Sequence, residues 1–203
     1  MGSVCGRFTD RELYDTILEG RVSVLTGLVT ELADAFVANR FEYVVADAAE
    51  GYNPGHDLCR YVVDAAVEAA RPGLPASFRS FEMDLAAAPA AGGTSARVVC
   101  LDLDEDALER KLGAARDYVG MAQEVDAALD QWGAAAFRQE CLRETRLDGD
   151  DQEPAESPPY YERHGERRRA EGTYDQVIRY REHIRPLRDA LRRHARTSRR
   201  CQG

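Results

Sequence analysis

A chain of 203 residues with 44% hydrophobic content can bury one core, with or without an appendage, and 36 acidic against 27 basic residues leave a net charge of −9. No run approaches the ~20 apolar residues that cross a bilayer, and residues 1–10 lack the charged start and apolar run of a signal peptide. These features argue against a membrane-spanning helix and lead to the expectation of a cytoplasmic protein.

Residues 11–38 carry Leu25, Leu28, Val29, Leu32 and Phe36 at three- and four-residue spacing, which predicts a helix, with Gly20 splitting off an earlier turn. The aromatic and β-branched run from Phe41 to Asp47 predicts a buried strand at about 42–47. A polar, glycine-bearing loop follows from Glu50 to Gly55. A helix over about 57–70 comes next, with Leu58, Tyr61, Val62, Ala65, Ala66 and Ala69 facing inward and Pro72 stopping it. Residues 78–85 and 96–103 are further strand candidates, joined by a flexible Ala/Gly/Pro-rich connection at 86–93. Asp104 caps a helix through Leu108, Leu112 and Ala115, and a second covers about 120–131. Residues 133–142 are expected to continue helically, with Trp132 and Phe137 as packing residues. After an Asp/Glu/Gly/Pro-rich segment at 144–159, helices are expected over 160–170 and 173–195, with Pro186 kinking or dividing the second.

This order predicts an α/β sheet with crossover helices. The expected organisation is an α/β domain over 1–143, a mobile acidic linker over 144–159, and a helical basic tail over 160–203. From Tyr160 onward there are 13 arginines against 6 acidic residues. The acids are interspersed, and Val177, Ile178, Ile184, Leu187 and Leu191 form an apolar stripe. Docking on the acidic body explains that stripe, whereas nucleic-acid binding needs arginines but no stripe; no nucleic-acid partner is expected. Cys5, Cys59, Cys100, Cys141 and Cys201 are odd in number, scattered and without a C-x-x-C pair, and read as separate reduced thiols.

In α/β sheets ligands collect where loops leave the carboxyl ends of strands, which singles out residues 48–57. Here stands Glu50-Gly51-Tyr52-Asn53-Pro54-Gly55-His56-Asp57. It resembles the E-G-G-H-P-D-H loop of PIG-L/LmbE-type zinc N-deacetylases, which also follows a hydrophobic strand and opens a helix. The segment from Phe8 to Leu13 is similar to the family's L-G-x-P-D-G-x-L stretch, and Leu108 to Ala115 to its K-x-x-A-x-x-x-Y/H helix, so the resemblance covers about residues 8–125.

The resemblance implies a partial Rossmann-like (LmbE-like) layer with a C-terminal helical extension. The implied activity is zinc-dependent hydrolysis of an N-acetyl group on an amino-sugar-like small molecule. In the family, zinc is held by a His and an Asp of an early H-P-D-D motif and by the last His of the loop; a second Asp of that motif is the general base. Only His56 falls on a zinc-ligand position. Asn53 stands where the family has a His that stabilises the oxyanion, and it can still donate a hydrogen bond there. Gly55 replaces an Asp, and the early motif has no counterpart, which points to a truncated gene model or a degenerate relative.

Three protein ligands and one open position are the usual catalytic zinc arrangement, and His56 alone supplies one. Asp47, Glu50 and Asp57 are the only nearby acids available to substitute, so zinc is expected to bind weakly or not at all. The alternative reading is a non-catalytic binding or partner protein on the same scaffold. Tyr160-Tyr161-Glu162-Arg163-His164 reads either as a segment that folds over the ligand end or as a packed amphipathic helix. An incomplete sheet would expose an edge and an apolar face, making a homodimer a fair expectation.

Overall fold

The structure is a computed structural model that describes residues 6–84, 98–118, 120, 122–145 and 157–201. The expected connection at 86–93 and residues 146–156 of the expected linker lie outside the described residues. In chain order the elements are α1 (Asp10–Leu18), α2 (Val22–Ala38), β1 (Tyr43–Asp47), α3 (Pro54–Ala70), β2 (Arg79–Met83), β3 (Val98–Asp102), α4 (Glu105–Asp117), α5 (Ala122–Trp132), β4 (Gln139–Glu144), α6 (Tyr160–Ala170) and α7 (Arg185–Cys201). The fold is α/β, with β1 and β2 parallel and β3 and β4 antiparallel.

Contacts divide the chain into two compact units, Met1–Ala86 with Thr145–Gly203, and Ala87–Glu144. In the first unit Thr9 and Glu12 open α1 as a reciprocal cap: the Thr9 N–H donates to Glu12 Oε2 at 2.8 Å and the Glu12 N–H to Thr9 Oγ1 at 3.3 Å. Gly20, at φ 63°, turns the chain into α2, a conformation that a side chain would strain. Helix α3 connects the parallel pair β1 and β2, with Tyr43 opposite Arg79 and Asp47 opposite Met83.

Helix α3 is buried along nearly its whole length. It packs against both α2 and α7, which also touch each other. Its alanines 65, 66, 69 and 70 are small enough to let both neighbours approach, and Leu58, Val62 and Val67 fill the gaps. Leu25, Leu28, Val29 and Phe36 come from α2, and Ile184, Leu187, Leu191 and Ala195 from the tail.

The tail therefore shares the core of the first unit. Its helix does not begin at 173: residues 176–179 lie in no helix or strand, Tyr180–Ile184 form one π turn, and α7 starts at Arg185 and runs to Cys201. Pro186 has no N–H to give to a preceding turn, and it stands where the π turn becomes α-helix. Gly165 in α6 lets Val177 approach, since a Cβ there would lie 2.8 Å from Val177 Cγ1.

Two expectations are corrected in the second unit. Residues 133–142 do not continue the helix: Gly133, at φ 74°, ends α5, a 3-10 turn over Ala134–Phe137 follows, and the chain enters β4 at Gln139. The thiols are not all separate, because Cys100 and Cys141 are register partners across β3 and β4 and form a disulfide. Cys59 is a free thiol.

Among the described residues of this unit, Leu108 is the only buried one. Polar ties supply much of the rest: Arg138 donates to the Leu103 carbonyl at 3.0 Å and pairs with Glu105 at 2.5 Å. Lys111 donates to the Phe137 carbonyl at 3.1 Å and pairs with Glu140 at 2.5 Å.

Leu187→Ala, at a site 2% exposed, should lower the stability of the first unit by about 2–5 kcal/mol, read by urea denaturation. The disulfide joins residues 41 apart, so its reduction should cost the second unit roughly 2–4 kcal/mol. Hydrogen exchange checks this: protection over 98–144 should fall on reduction while that over 22–70 stays.

Candidate functional site

Strand β1 ends at Asp47, and the Ala48 N–H still donates to the Met83 carbonyl at 2.8 Å. Asn53 then caps α3: its Oδ1 accepts the Gly55 N–H at 2.8 Å, and Pro54 fits the first helical position because no N–H is needed there. The helix thus starts three residues before the expected position 57, and His56 lies in its first turn. Gly55 permits this start, as a Cβ would meet Leu13 Cδ2 at 3.1 Å.

His56 faces back to the strand it follows. Its Nδ1 lies 2.6 Å from Asp47 Oδ2, with the two side chains 47% and 33% exposed. The carboxylate accepts, so the ring proton is assigned to Nδ1; in the neutral ring the Nε2 lone pair is left for a ligand.

Asp57, the next residue, turns the other way and is 1% exposed. Both its oxygens accept the Gly51 N–H at 3.2 Å. Burial is the largest influence on its carboxyl and pushes it up to about 6. Backbone hydrogen bonds from Gly51 and Glu50 and the nearby His56 act against that rise, and Glu50 adds to it.

The loop is also held from the tail, where the Tyr161 N–H donates to the Gly51 carbonyl at 3.2 Å. Tyr52 stacks on Tyr160 with ring centroids 5.1 Å apart. Tyr160 lies 5.7 Å from the His164 ring, which meets Tyr174 edge-on at 6.3 Å. Tyr161 points inward instead, and its buried hydroxyl has no hydrogen-bond partner. Beneath lies Arg188, 3% exposed, over the rings of Tyr61 and Tyr180 at 5.9 and 5.8 Å. It donates to the Tyr180 hydroxyl at 2.7 Å, and the Tyr180 N–H donates to Glu162 Oε2 at 2.9 Å. Burial raises the Tyr61 and Tyr161 hydroxyls well above the usual phenol range.

Of the two sequence-selected residues, His56 stands exposed at the carboxyl end of β1. Asn53 serves as the cap, with its Oδ1 on Gly55. The other three histidines have partners inside the fold: His164 beside Arg167, His183 accepting the Arg179 N–H, and His194 beside Thr30.

Among the described residues no group of three His, Cys, Asp or Glu side chains is placed to hold a metal ion. Asp47 is paired with His56 and Asp57 is committed to the loop backbone, so these residues do not fit a zinc centre of three protein ligands. The sequence reading missed the Tyr52–Tyr160 stack and the buried Arg188. A signal for the latter was present: position 188 lies on the same helical face as Ile184 and Leu191. Comparison with protein-family models, curated proteins and solved structures finds no match for this chain.

Because Asp57 binds its proton more tightly in the folded chain, its contribution to stability falls as pH rises from about 4 to about 6. A rise of about two pK units corresponds to roughly 3 kcal/mol. Asp57→Asn should therefore gain about that much on the wild type between pH 4 and pH 7.5, read as the change in their stability difference in urea titrations at both pH values.

Proposed function

We propose that this chain binds an amino-sugar-like small molecule at the carboxyl end of β1, on a Rossmann-like layer related to that of the PIG-L/LmbE-type N-deacetylases. The observation that carries the reading is the 2.6 Å contact between His56 Nδ1 and Asp47 Oδ2. It fixes one ring nitrogen and turns the imidazole into an oriented polar anchor whose Nε2 accepts a hydroxyl or amide N–H. The parallel β1–α3–β2 unit places this anchor where α/β layers collect ligands. Tyr52, 54% exposed on the same loop, offers an aromatic ring against the apolar face of a sugar.

The protein's own groups supply binding and orientation. Asp47 holds the ring, the Asp57–Gly51 clasp holds the loop, and the Asn53 cap holds the first turn of α3. Zinc is the group the resemblance implies, and these residues do not fit it, so no hydrolytic step is assigned through a metal. The reading is therefore a binding protein of the deacetylase lineage.

The test is an NMR titration of the full chain with glucosamine and N-acetylglucosamine. Ligand should shift the ring signals of His56 and Tyr52, and His56→Ala should abolish the effect with the fold intact. Asp47→Asn should weaken binding about tenfold, the scale of one charge-assisted hydrogen bond. Shifts confined to other regions would sink the proposal. Stoichiometric zinc that His56→Ala removes would replace it with a metal-dependent deacetylase.

A further inference from the structure

The second unit has almost no core of its own. Among its described residues Leu108 alone is buried, whereas the first unit joins apolar side chains from α2, α3 and α7. Ordering a chain costs conformational entropy at every residue, and one buried leucine offsets little of it. Its ion pairs face solvent: Arg138 with Glu105 at 36% and 82% side-chain exposure, Lys111 with Glu140 at 32% and 29%. Pairs of that kind add little stability. Small folded pieces with so little core commonly depend on a covalent staple.

The staple is the disulfide between Cys100 and Cys141, which are register partners 41 residues apart. Its position leaves it open to reaction. Cys100 is exposed, Cys141 is half-buried, and β3 lies at the end of the strand order with β4 as its one neighbour among the described residues. Reduction begins with a thiolate reaching one of the two sulfurs, so it depends on that access. The bond that the unit most depends on is thus also one that a thiol can reach.

We propose that the second unit is a redox-sensitive element, ordered while Cys100 and Cys141 are joined and unfolded once a thiol reductant parts them, with the first unit unchanged. A first thiolate attacks Cys100 Sγ, forms a mixed disulfide with it and releases Cys141 as a thiolate. A second thiol displaces Cys100 and leaves as part of the oxidised reductant. The two cysteines gain two electrons and two protons, and two reductant thiols lose them. Folding and bond support each other: the β3–β4 register holds the sulfurs together, and the bond limits the freedom of the unfolded segment. None of this rests on the small-molecule reading.

Trp132 is the single tryptophan and lies in this unit beside Phe137, so its emission reports on the unit alone. The test uses the full chain with Cys5, Cys59 and Cys201 changed to serine, in a series of reduced-to-oxidised glutathione buffers. Trp132 emission should move to the red in one reversible step. Over the same step trypsin should cut at Arg110, Lys111, Arg116 and Arg138 at least about tenfold faster, as expected for local unfolding, while hydrogen-exchange protection over 22–70 stays. Cys100→Ala combined with Cys141→Ala should give the reduced emission and the fast cleavage at every ratio. Three results would each overturn the proposal. The reduced chain keeps the emission and trypsin resistance of the oxidised one; the disulfide stays closed throughout the series, as a permanent staple would; or protection over 22–70 is lost in the same step.

Discussion

The hydrogen bonds from the Gly51 backbone to the buried Asp57 carboxylate set the geometry of everything at the carboxyl end of β1. Asp57 sits one residue past His56, so fixing its side chain inward fixes the helix rotation that sends the imidazole outward to Asp47. The same loop carries Tyr52, and Gly51 offers its carbonyl to Tyr161 while its N–H serves Asp57. One peptide segment is thereby tied to the helix that follows it and to a helix more than a hundred residues later. Burial disfavours the ionised carboxylate, and the backbone donors at Gly51 and Glu50, with the nearby His56, act against that. A loop built this way is specified by polar geometry, with little apolar area of its own.

How much of this was legible depended on how local the cause was. The strand expected at about 42–47 and the break at Gly20 follow from hydrophobic period and glycine chemistry within a few residues, and both are found there, although β1 is not the buried strand expected, since Tyr43 and Val45 are exposed. The helix after the loop began early because an Asn-Pro pair is itself a start signal: Asn53 caps and Pro54 enters, a local cue outweighed by the polarity of 53–56. Strand β4 was misread for a different reason. Gln139 to Leu142 has helix-forming residues, and its strand state comes from pairing with Val98–Asp102, far away in sequence. The disulfide went unseen with it, since scattered cysteines reveal a bond only once two strands are aligned.

At the candidate site, the residue types were visible and their partners were not. His56 stood out from the loop pattern, and Asp47, Glu50 and Asp57 were recognised as its nearby acids. Nothing in the spacing could say that two adjacent residues, His56 and Asp57, would point in opposite directions and divide those acids between them. That division separates an oriented histidine from a metal centre. A zinc site needs several donors converging on one point, whereas here one carboxylate orients the ring and another anchors the loop.

The arginine-rich tail has its explanation in the same polar underlayer. Arg188 is buried over Tyr61 and Tyr180, Arg179 reaches Glu166 at 2.5 Å, and Arg199 reaches Glu68 on α3 at 2.7 Å. These are planar, multi-donor contacts that lysine would make poorly, and they face ring faces and carboxylates within the unit. Charge in the tail is thus spent on holding α6 and α7 against α3. Since α6 supplies both Tyr160 to the Tyr52 stack and the Tyr161 N–H to Gly51, the tail belongs to the foundation of the loop. Loss of its docking would reach the His56–Asp47 pair through the loop itself, because Gly51 is the point where the two supports meet.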